Sequence, residues 1–171
     1  GEPLIYRGRI SADDLLGEPD LLRLEEGEYV AGDIKSGSGE EGGEDDPRPK
    51  KHYAVQLALY TDILERKGLS SKREPFVWDI HGDEIIYELD ELTGKKNPTT
   101  LWNIYQETLY EVRGIVNRTE NSTPAYSSKC KLCHWKTECM KTLKNSDDLT
   151  LLPELGRTKR DVLLNEIQTV D

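Results

Sequence analysis

The chain has 171 residues, with 23 Lys and Arg against 33 Asp and Glu and a formal net charge of −10 at pH 7. A third of it is charged and 35% is hydrophobic, and eight Tyr, three Trp and many Leu and Ile supply a core for one domain with a small appendage and exclude wholesale disorder. No apolar run approaches the roughly 20 residues of a membrane helix, Gly1-Glu2-Pro3 leads into a strand-like stretch rather than a signal peptide, and three Cys packed into one short segment do not suit a secreted disulfide scaffold. A reducing, cytoplasmic setting is the expectation. The triplets Asn117-Arg118-Thr119 and Asn121-Ser122-Thr123 are then chance matches to a glycosylation pattern.

Residues 4–10 alternate and are rich in β formers, which predicts a strand. Gly17-Glu18-Pro19-Asp20 breaks the pattern, residues 21–24 form a second strand, Glu25-Glu26-Gly27-Glu28 a turn, and residues 29–34 a third strand. Residues 36–49 are Ser, Gly, Pro and acids and read as a loop, its run of Glu40, Glu41, Glu44, Asp45 and Asp46 solvated. From 50 to 67 the period becomes helical: Tyr53, Leu57, Tyr60 and Leu64 mark the apolar stripe and Gly68 the stop. Residues 76–80 and 85–89 flank His81-Gly82-Asp83-Glu84 as a hairpin. Pro98 and Thr99 open a long helix to residue 118, with Trp102, Tyr105, Leu109, Val112 and Val116 on its apolar side. The order β-β-β-α-β-β-α, without internal repeats, predicts an α/β (α+β) fold with a mixed central sheet flanked by helices. Trp78 and Trp102 are expected in the core, and His52 and His81 at the surface.

Asp20 opens the second predicted strand and Asp33 closes the third. If those strands pair through their turn, at about 3.3 Å per residue the two ends meet. Two carboxylates so placed repel unless a cation lies between them, and hard divalent ions such as Mg²⁺ take oxygen ligands of this kind. Lys35, two residues beyond Asp33, lies on the same strand face. A metal, an ammonium and a water can together hydrolyse a phosphodiester: the metal lowers the pKa of water and neutralises phosphate charge, while Lys35 orients the water or steadies the developing oxyanion. On the following helix Gln56 and Tyr60 are four residues apart on one face. Asp-x-Lys by itself equally suits a surface hairpin whose charges only keep it soluble.

Taken in order, Gly17-x-Pro19-Asp20, Asp33-Ile34-Lys35-Ser36-Gly37 and Gln56-x-x-x-Tyr60 resemble the PD-(D/E)xK nuclease superfamily, most closely its RecB-like branch, which includes the CRISPR adaptation nucleases. The resemblance spans residues 4–140 and implies a restriction-endonuclease-like core at residues 1–125, a DNA substrate, Mg²⁺ or Mn²⁺, and exonuclease action on single strands or ends. It implies that Asp20 and Asp33 are metal ligands together with the Ile34 carbonyl, that Lys35 is the catalytic lysine, and that Gln56 and Tyr60 support the site and the DNA. The family usually carries a helix before the first strand, so a chain that begins almost at the strand is expected to be a fragment.

Cys130, Cys133 and Cys139 read C-x-x-C-x₅-C, and C-x-x-C brings two thiolates to one metal or cluster. In the RecB-like branch this spacing resembles the C-terminal part of a [4Fe–4S] ligand set whose fourth Cys lies far upstream; this sequence has no such Cys. Zinc, with His134 or another His as fourth ligand, is the alternative, and three reduced Cys in a basic loop is the plainest reading. Between 129 and 144 five Lys face the single acid Glu138, so residues 126–144 form a basic segment in an acidic chain, with Lys129 and Lys131 as candidate nucleic-acid contacts. In the tail, residues 145–171, the run from Leu149 through Pro153-Glu154-Leu155-Gly156 to Arg160 resembles a helix-hairpin-helix DNA-binding element. That resemblance makes Arg157, Lys159 and Arg160 phosphate contacts, although Glu154 stands where Gly is usual; a helical linker is the alternative. The whole chain therefore reads as a metal-dependent DNA nuclease, with a non-catalytic DNA-binding module stabilised by a structural metal as the alternative.

Overall fold

Strand alternation and turn chemistry put the central strands where the sequence predicts them and break the first one in two. In the computed structural model, which describes residues 1–42, 46–94 and 97–167, with side chains as far as residue 165, the chain forms two units, Gly1–Val116 and Asn117–Asp171. Glu44 and Asp45 of the acidic run and the last four residues of the tail lie outside the described residues. The first unit opens with β1 (Leu4–Tyr6), β2 (Ile10–Ala12) and β3 (Leu15–Gly17). The single strand expected over residues 4–10 fails at Arg7, whose φ of 52° turns the chain. β2 and β3 then pair as a hairpin through Asp13, also left-handed at φ 51°.

β4 (Leu21–Glu25) and β5 (Glu28–Ile34) form the expected hairpin, with Glu25 opposite Glu28 and the two-residue turn supplied by Glu26 at φ 52° and Gly27 at φ 94°. Positive φ at both turn residues matches the right-handed twist of the flanking strands, and glycine takes the second position without strain. The loop that follows contains a short pair, β6 (Glu40–Glu41) with β7 (Arg48–Pro49), and leads into α1 (Lys51–Arg66). After α1 come β8 (Phe76–Trp78), β9 (Glu84–Ile86), the small pair β10 (Leu92–Thr93) and β11 (Thr99–Thr100), and α2 (Leu101–Val116).

The central sheet has the order β1-β4-β5-β8-β9. Every neighbouring pair is antiparallel except β5 and β8, which run parallel because α1 makes the crossover between them. This is the mixed sheet flanked by helices that the element order predicts. One face packs Leu22, Ala31 and Val77 against Ala54, Leu57, Ala58 and Ile63 of α1, joined by Tyr87, Leu101 and Tyr105. On the other face Leu21, Val30 and Phe76 form a small cluster. Arg23 lies 4.0 Å over the Phe76 ring and reaches Glu84 at 2.7 Å. Trp78 shares that second face with Phe76 and is 36% exposed, its Nε1 donating to Glu84 at 2.8 Å, so it is not the core residue the sequence implies. Trp102 is half-buried beneath the Arg73 guanidinium, 3.7 Å above its ring.

A polar lock joins the helices. Buried Asp62 accepts the Tyr105 hydroxyl at 2.6 Å and Arg66 Nε at 2.8 Å, and Arg66 continues to Asp13 at 2.8 Å in the β2–β3 turn. Burial pushes the Tyr105 phenol well above its ordinary range, and the Asp62 carboxylate adds to the effect. Tyr105→Phe removes one donor while leaving Arg66 on Asp62. It is expected to cost about 1–2 kcal/mol in urea denaturation, the range for one unmade buried hydrogen bond.

The second unit contains a 3₁₀ turn (Ser128–Leu132), α3 (Lys136–Asn145), a second 3₁₀ turn (Leu149–Leu151) and α4 (Arg157–Ile167). Leu143 and Thr150 are buried within it. Arg160, expected on a phosphate-facing surface, is 3% exposed; its guanidinium bonds Asp148 at 3.0 Å and the Pro124 carbonyl at 2.7 Å. Among the described residues no helix is long and apolar enough to cross a membrane.

Candidate active site

The β4–β5 register, with Leu21 opposite Gly32, sets Asp20 beside Asp33. Asp20 N–H donates to Asp33 Oδ1 at 3.4 Å, and Ile34 N–H donates to Asp20 Oδ2 at 3.0 Å. Lys35 Nζ is ion-paired with Asp33 Oδ2 and donates to Gln56 Oε1 at 2.8 Å. Gln56 Nε2 donates to the Tyr60 hydroxyl at 2.7 Å, and that hydroxyl donates to the Glu18 carbonyl at 3.5 Å. Asp20, Asp33, Lys35, Gln56 and Tyr60 thus form one chain of contacts running from two strands to α1. Ile34 contributes its backbone there; its side chain is 48% exposed.

Local structure explains the placement. Alternation along β5 turns Asp33 and Lys35 to the α1 side of the sheet, and Lys35 N–H is tied to the Trp78 carbonyl at 2.8 Å. A Cβ at position 17 would lie 2.6 Å from the Tyr60 ring, so a glycine ending β3 is what lets that ring approach. Asp33 is only 3% exposed. Burial pushes its carboxyl above the usual carboxylate range, the Lys35 ammonium pulls it down and the Asp20 carboxylate pushes it up again; the net direction is upward. Burial also raises the Tyr60 phenol, against the bond from Gln56.

The loop after Lys35 is pinned by residues that no motif in the sequence marks. Lys50 Nζ donates to the Ser38 carbonyl at 2.7 Å, Gly39 N–H donates to Asp79 Oδ2 at 3.2 Å, and the buried Tyr87 hydroxyl donates to the Gly39 carbonyl. These partners lie from 12 to 48 residues away along the chain, beyond the reach of local pattern. His52 is exposed, its ring 4.4 Å from that of Tyr53, and His81 is an exposed turn residue, as expected.

Two adjacent carboxylates are hard oxygen donors, which suits Mg²⁺ or Mn²⁺. Among the described residues no three His, Cys, Asp or Glu side chains gather into a metal-holding group. An ion between Asp20 and Asp33 would therefore draw its other ligands from backbone, water or phosphate, as Mg²⁺ commonly does. The same finding gives the cysteine expectation no support. Cys130, Cys133 and Cys139 are free thiols, and among the described residues they do not gather, with or without His134, into a group of three that could hold a metal. Cys130 Sγ instead accepts from Ser127 N–H at 3.4 Å, while Cys133 is exposed and Cys139 belongs to α3. Three thiols are one short of the four-ligand set of a [4Fe–4S] cluster or of a four-cysteine zinc site.

Of the expected nucleic-acid contacts, Lys129 and Lys131 are exposed on the first 3₁₀ turn. Arg157 and Lys159 are exposed at the start of α4, where they reach the Thr123 and Glu154 carbonyls at 2.8 and 3.1 Å. No curated protein matches the chain. Residues 5–140 match the PD-(D/E)XK nuclease superfamily. The matched span takes in the acid-bearing strand pair, the lysine and the helix behind them, and the chain belongs to the PD-(D/E)XK nuclease superfamily.

Proposed function

We propose that the chain is a metal-dependent deoxyribonuclease of the RecB-like branch, acting on single strands or ends. The observation that carries this reading is the unbroken series Asp20–Asp33–Lys35–Gln56–Tyr60, in which two carboxylates and one ammonium share a partly enclosed site. Asp20, Asp33 and the Ile34 carbonyl would hold Mg²⁺ or Mn²⁺. The bound ion supplies a water of lowered pKa and neutralises charge on the phosphate. Lys35 is held between Asp33 and Gln56, so its ammonium is aimed before substrate arrives and can orient the attacking water or steady the oxyanion. Tyr60 fixes the Gln56 amide, whose oxygen then accepts from Lys35 and not from solvent.

We divide the chain into a nuclease core at residues 1–125, a basic Cys-bearing segment at 126–144 and a helix-hairpin-helix-like tail at 145–171. Exposed Lys129, Lys131, Arg157 and Lys159 are its candidate DNA contacts. The tail reading is supported by Glu154, whose φ of 60° keeps the left-handed turn for which glycine is the usual choice.

Digestion of end-labelled single-stranded and duplex DNA with Mg²⁺ or Mn²⁺ tests the reading. Cleavage that EDTA abolishes and Lys35→Ala lacks is the expected result, with products shortening from one end. DNA bound but never cut by the wild-type chain would favour the binding module instead.

A further inference from the structure

Tyr53 belongs to none of the motifs, yet it touches the lysine of the site. It lies in the first turn of α1, half-buried, with Lys35 Nζ 4.9 Å from its ring centroid. Lys50 Nζ is 5.3 Å from the same centroid and donates to the Ser38 carbonyl. The Tyr53 hydroxyl lies alongside Gly37, 3.8 Å from where a Cβ would stand. A single ring therefore meets the ammonium of the residue that enters the loop over residues 36–39 and the ammonium that fastens that loop to the start of α1.

A lysine ammonium on its flexible four-carbon stem is poorly preorganised. Asp33 and Gln56 fix two of its hydrogen bonds but leave the stem free to swing about them. An aromatic face closes that freedom: it attracts a cation through the ring quadrupole and blocks the rotamers that would carry the ammonium away. Tyr53, Gln56 and Tyr60 follow one another at i, i+3 and i+7, so a single face of α1 presents all three to the strand end. The ring neither gives nor takes a proton in this contact, so its part is placement.

We propose that Tyr53 is a positioning residue for Lys35. Its ring face holds the ammonium against Asp33 and Gln56, and together with Lys50 it secures the loop that follows. The inference rests on the reading of Lys35 as the residue that assists cleavage.

The test compares Tyr53→Phe, which keeps the ring, with Tyr53→Leu, which loses it, in the full chain. The first readout needs no turnover. In ¹³C-lysine-labelled protein, the Lys35 ε-methylene signal, assigned by its loss in Lys35→Arg, is expected upfield through the ring current in wild type and in Tyr53→Phe. In Tyr53→Leu it is expected at the position of an exposed lysine. The second readout is steady-state cleavage: Tyr53→Leu is expected to lower kcat about tenfold with KM changed less than about twofold, and Tyr53→Phe to lower it less than about threefold. An unshifted Lys35 signal in the wild type overturns the proposal, as does a Tyr53→Leu enzyme as fast as wild type, or a Phe variant as slow as the Leu variant. Should Tyr53→Leu fail to fold, the wild-type and Phe signals decide. Absence of cleavage by the wild type would remove the nuclease reading alone, because the methylene shift still reports whether the ring holds Lys35.

Discussion

Asp33→Asn is expected to remove cleavage almost completely while leaving the fold at least as stable as the wild type. The first half follows from the donor count. Among the described residues no third acid joins Asp20 and Asp33, the two carboxylates proposed to hold a divalent ion, and replacing one with a neutral amide forfeits several kcal/mol of charge stabilisation, a loss of about 10³-fold in rate or more. The second half follows from burial. Asp33 is 3% exposed and sits against a second carboxylate, and its pKa is raised even with Lys35 beside it. A raised carboxyl pKa means that the folded chain holds the proton more tightly than the unfolded one. Stability from this group is therefore greatest in acid and declines as the pH rises through its folded pKa, and at neutral pH the ionised form is a cost to the fold. Asparagine keeps the shape and the acceptor for Asp20 N–H and removes that cost; the opposing loss is at the Oδ2 position, where an amide NH₂ replaces the oxygen paired with Lys35. Cleavage assays with Mg²⁺, paired with thermal denaturation in EDTA at pH 7, check both halves. A melting temperature lowered by several degrees would show that attraction between Asp33 and Lys35 outweighs burial. A gain in stability from a change that ends activity is the usual mark of a site that holds like charges together for use.

The residues that proved legible in the sequence are those fixed by short-range rules. The β4–β5 hairpin follows from alternation and from Glu26-Gly27, and once it closes, arithmetic along the strands sets Asp20 beside Asp33. The helical period likewise put Gln56 and Tyr60 on one face of α1. What stayed hidden depends on which distant groups meet. Nothing local announces that Arg7 turns left-handed, so β1 and the start of β2 read as a single strand over residues 4–10, nor that Asp13 does, so the β2–β3 hairpin has no signature. Alternation shows that Trp78 and Val77 point opposite ways, but it does not tell which face of the sheet is covered. Tyr53 stands on the apolar stripe of α1 and reads as core, although its ring serves two ammonium groups. The cysteine spacing states what could ligate a metal together, whereas convergence depends on the 3₁₀ turn and α3 that carry the thiols.

Arg160 shows the same limit most sharply, and its removal carries the largest expected loss of stability. In sequence it is one more cation at a basic helix start; in the fold its side chain is 4% exposed. Its guanidinium donates to Asp148 at 3.0 Å, the Pro124 carbonyl at 2.7 Å, Asp161 at 2.9 Å and the Thr123 hydroxyl at 3.3 Å. Asp148 in turn accepts Thr150 N–H at 2.8 Å, and the Thr150 hydroxyl accepts Tyr126 N–H at 2.8 Å. One network thus ties α4, the second 3₁₀ turn and residues 123–126. Arg160→Ala leaves the Asp148 carboxylate without its cation and a carbonyl without its donor, which costs about 3–5 kcal/mol for a buried pair and is expected to unfold the second unit. Hydrogen exchange read at residues 149–165 checks this: protection lost in Arg160→Ala is the expected result, and protection retained would refute the structural role. Arg160→Lys, which keeps the charge but not the planar fork, should fall between. The network also has a pH sign. Burial pushes the Asp148 carboxyl up, but the bonds from Thr150 and Arg160 outweigh it and hold it below the ordinary value. The contribution is therefore complete above the unfolded carboxylate pKa and is lost as the pH falls through the lowered one. It follows that the DNA binding proposed for this unit is properly probed with Arg157→Ala and Lys159→Ala while Arg160 is left in place. A triple substitution would lower affinity by unfolding the surface and would say nothing about which cations meet phosphate.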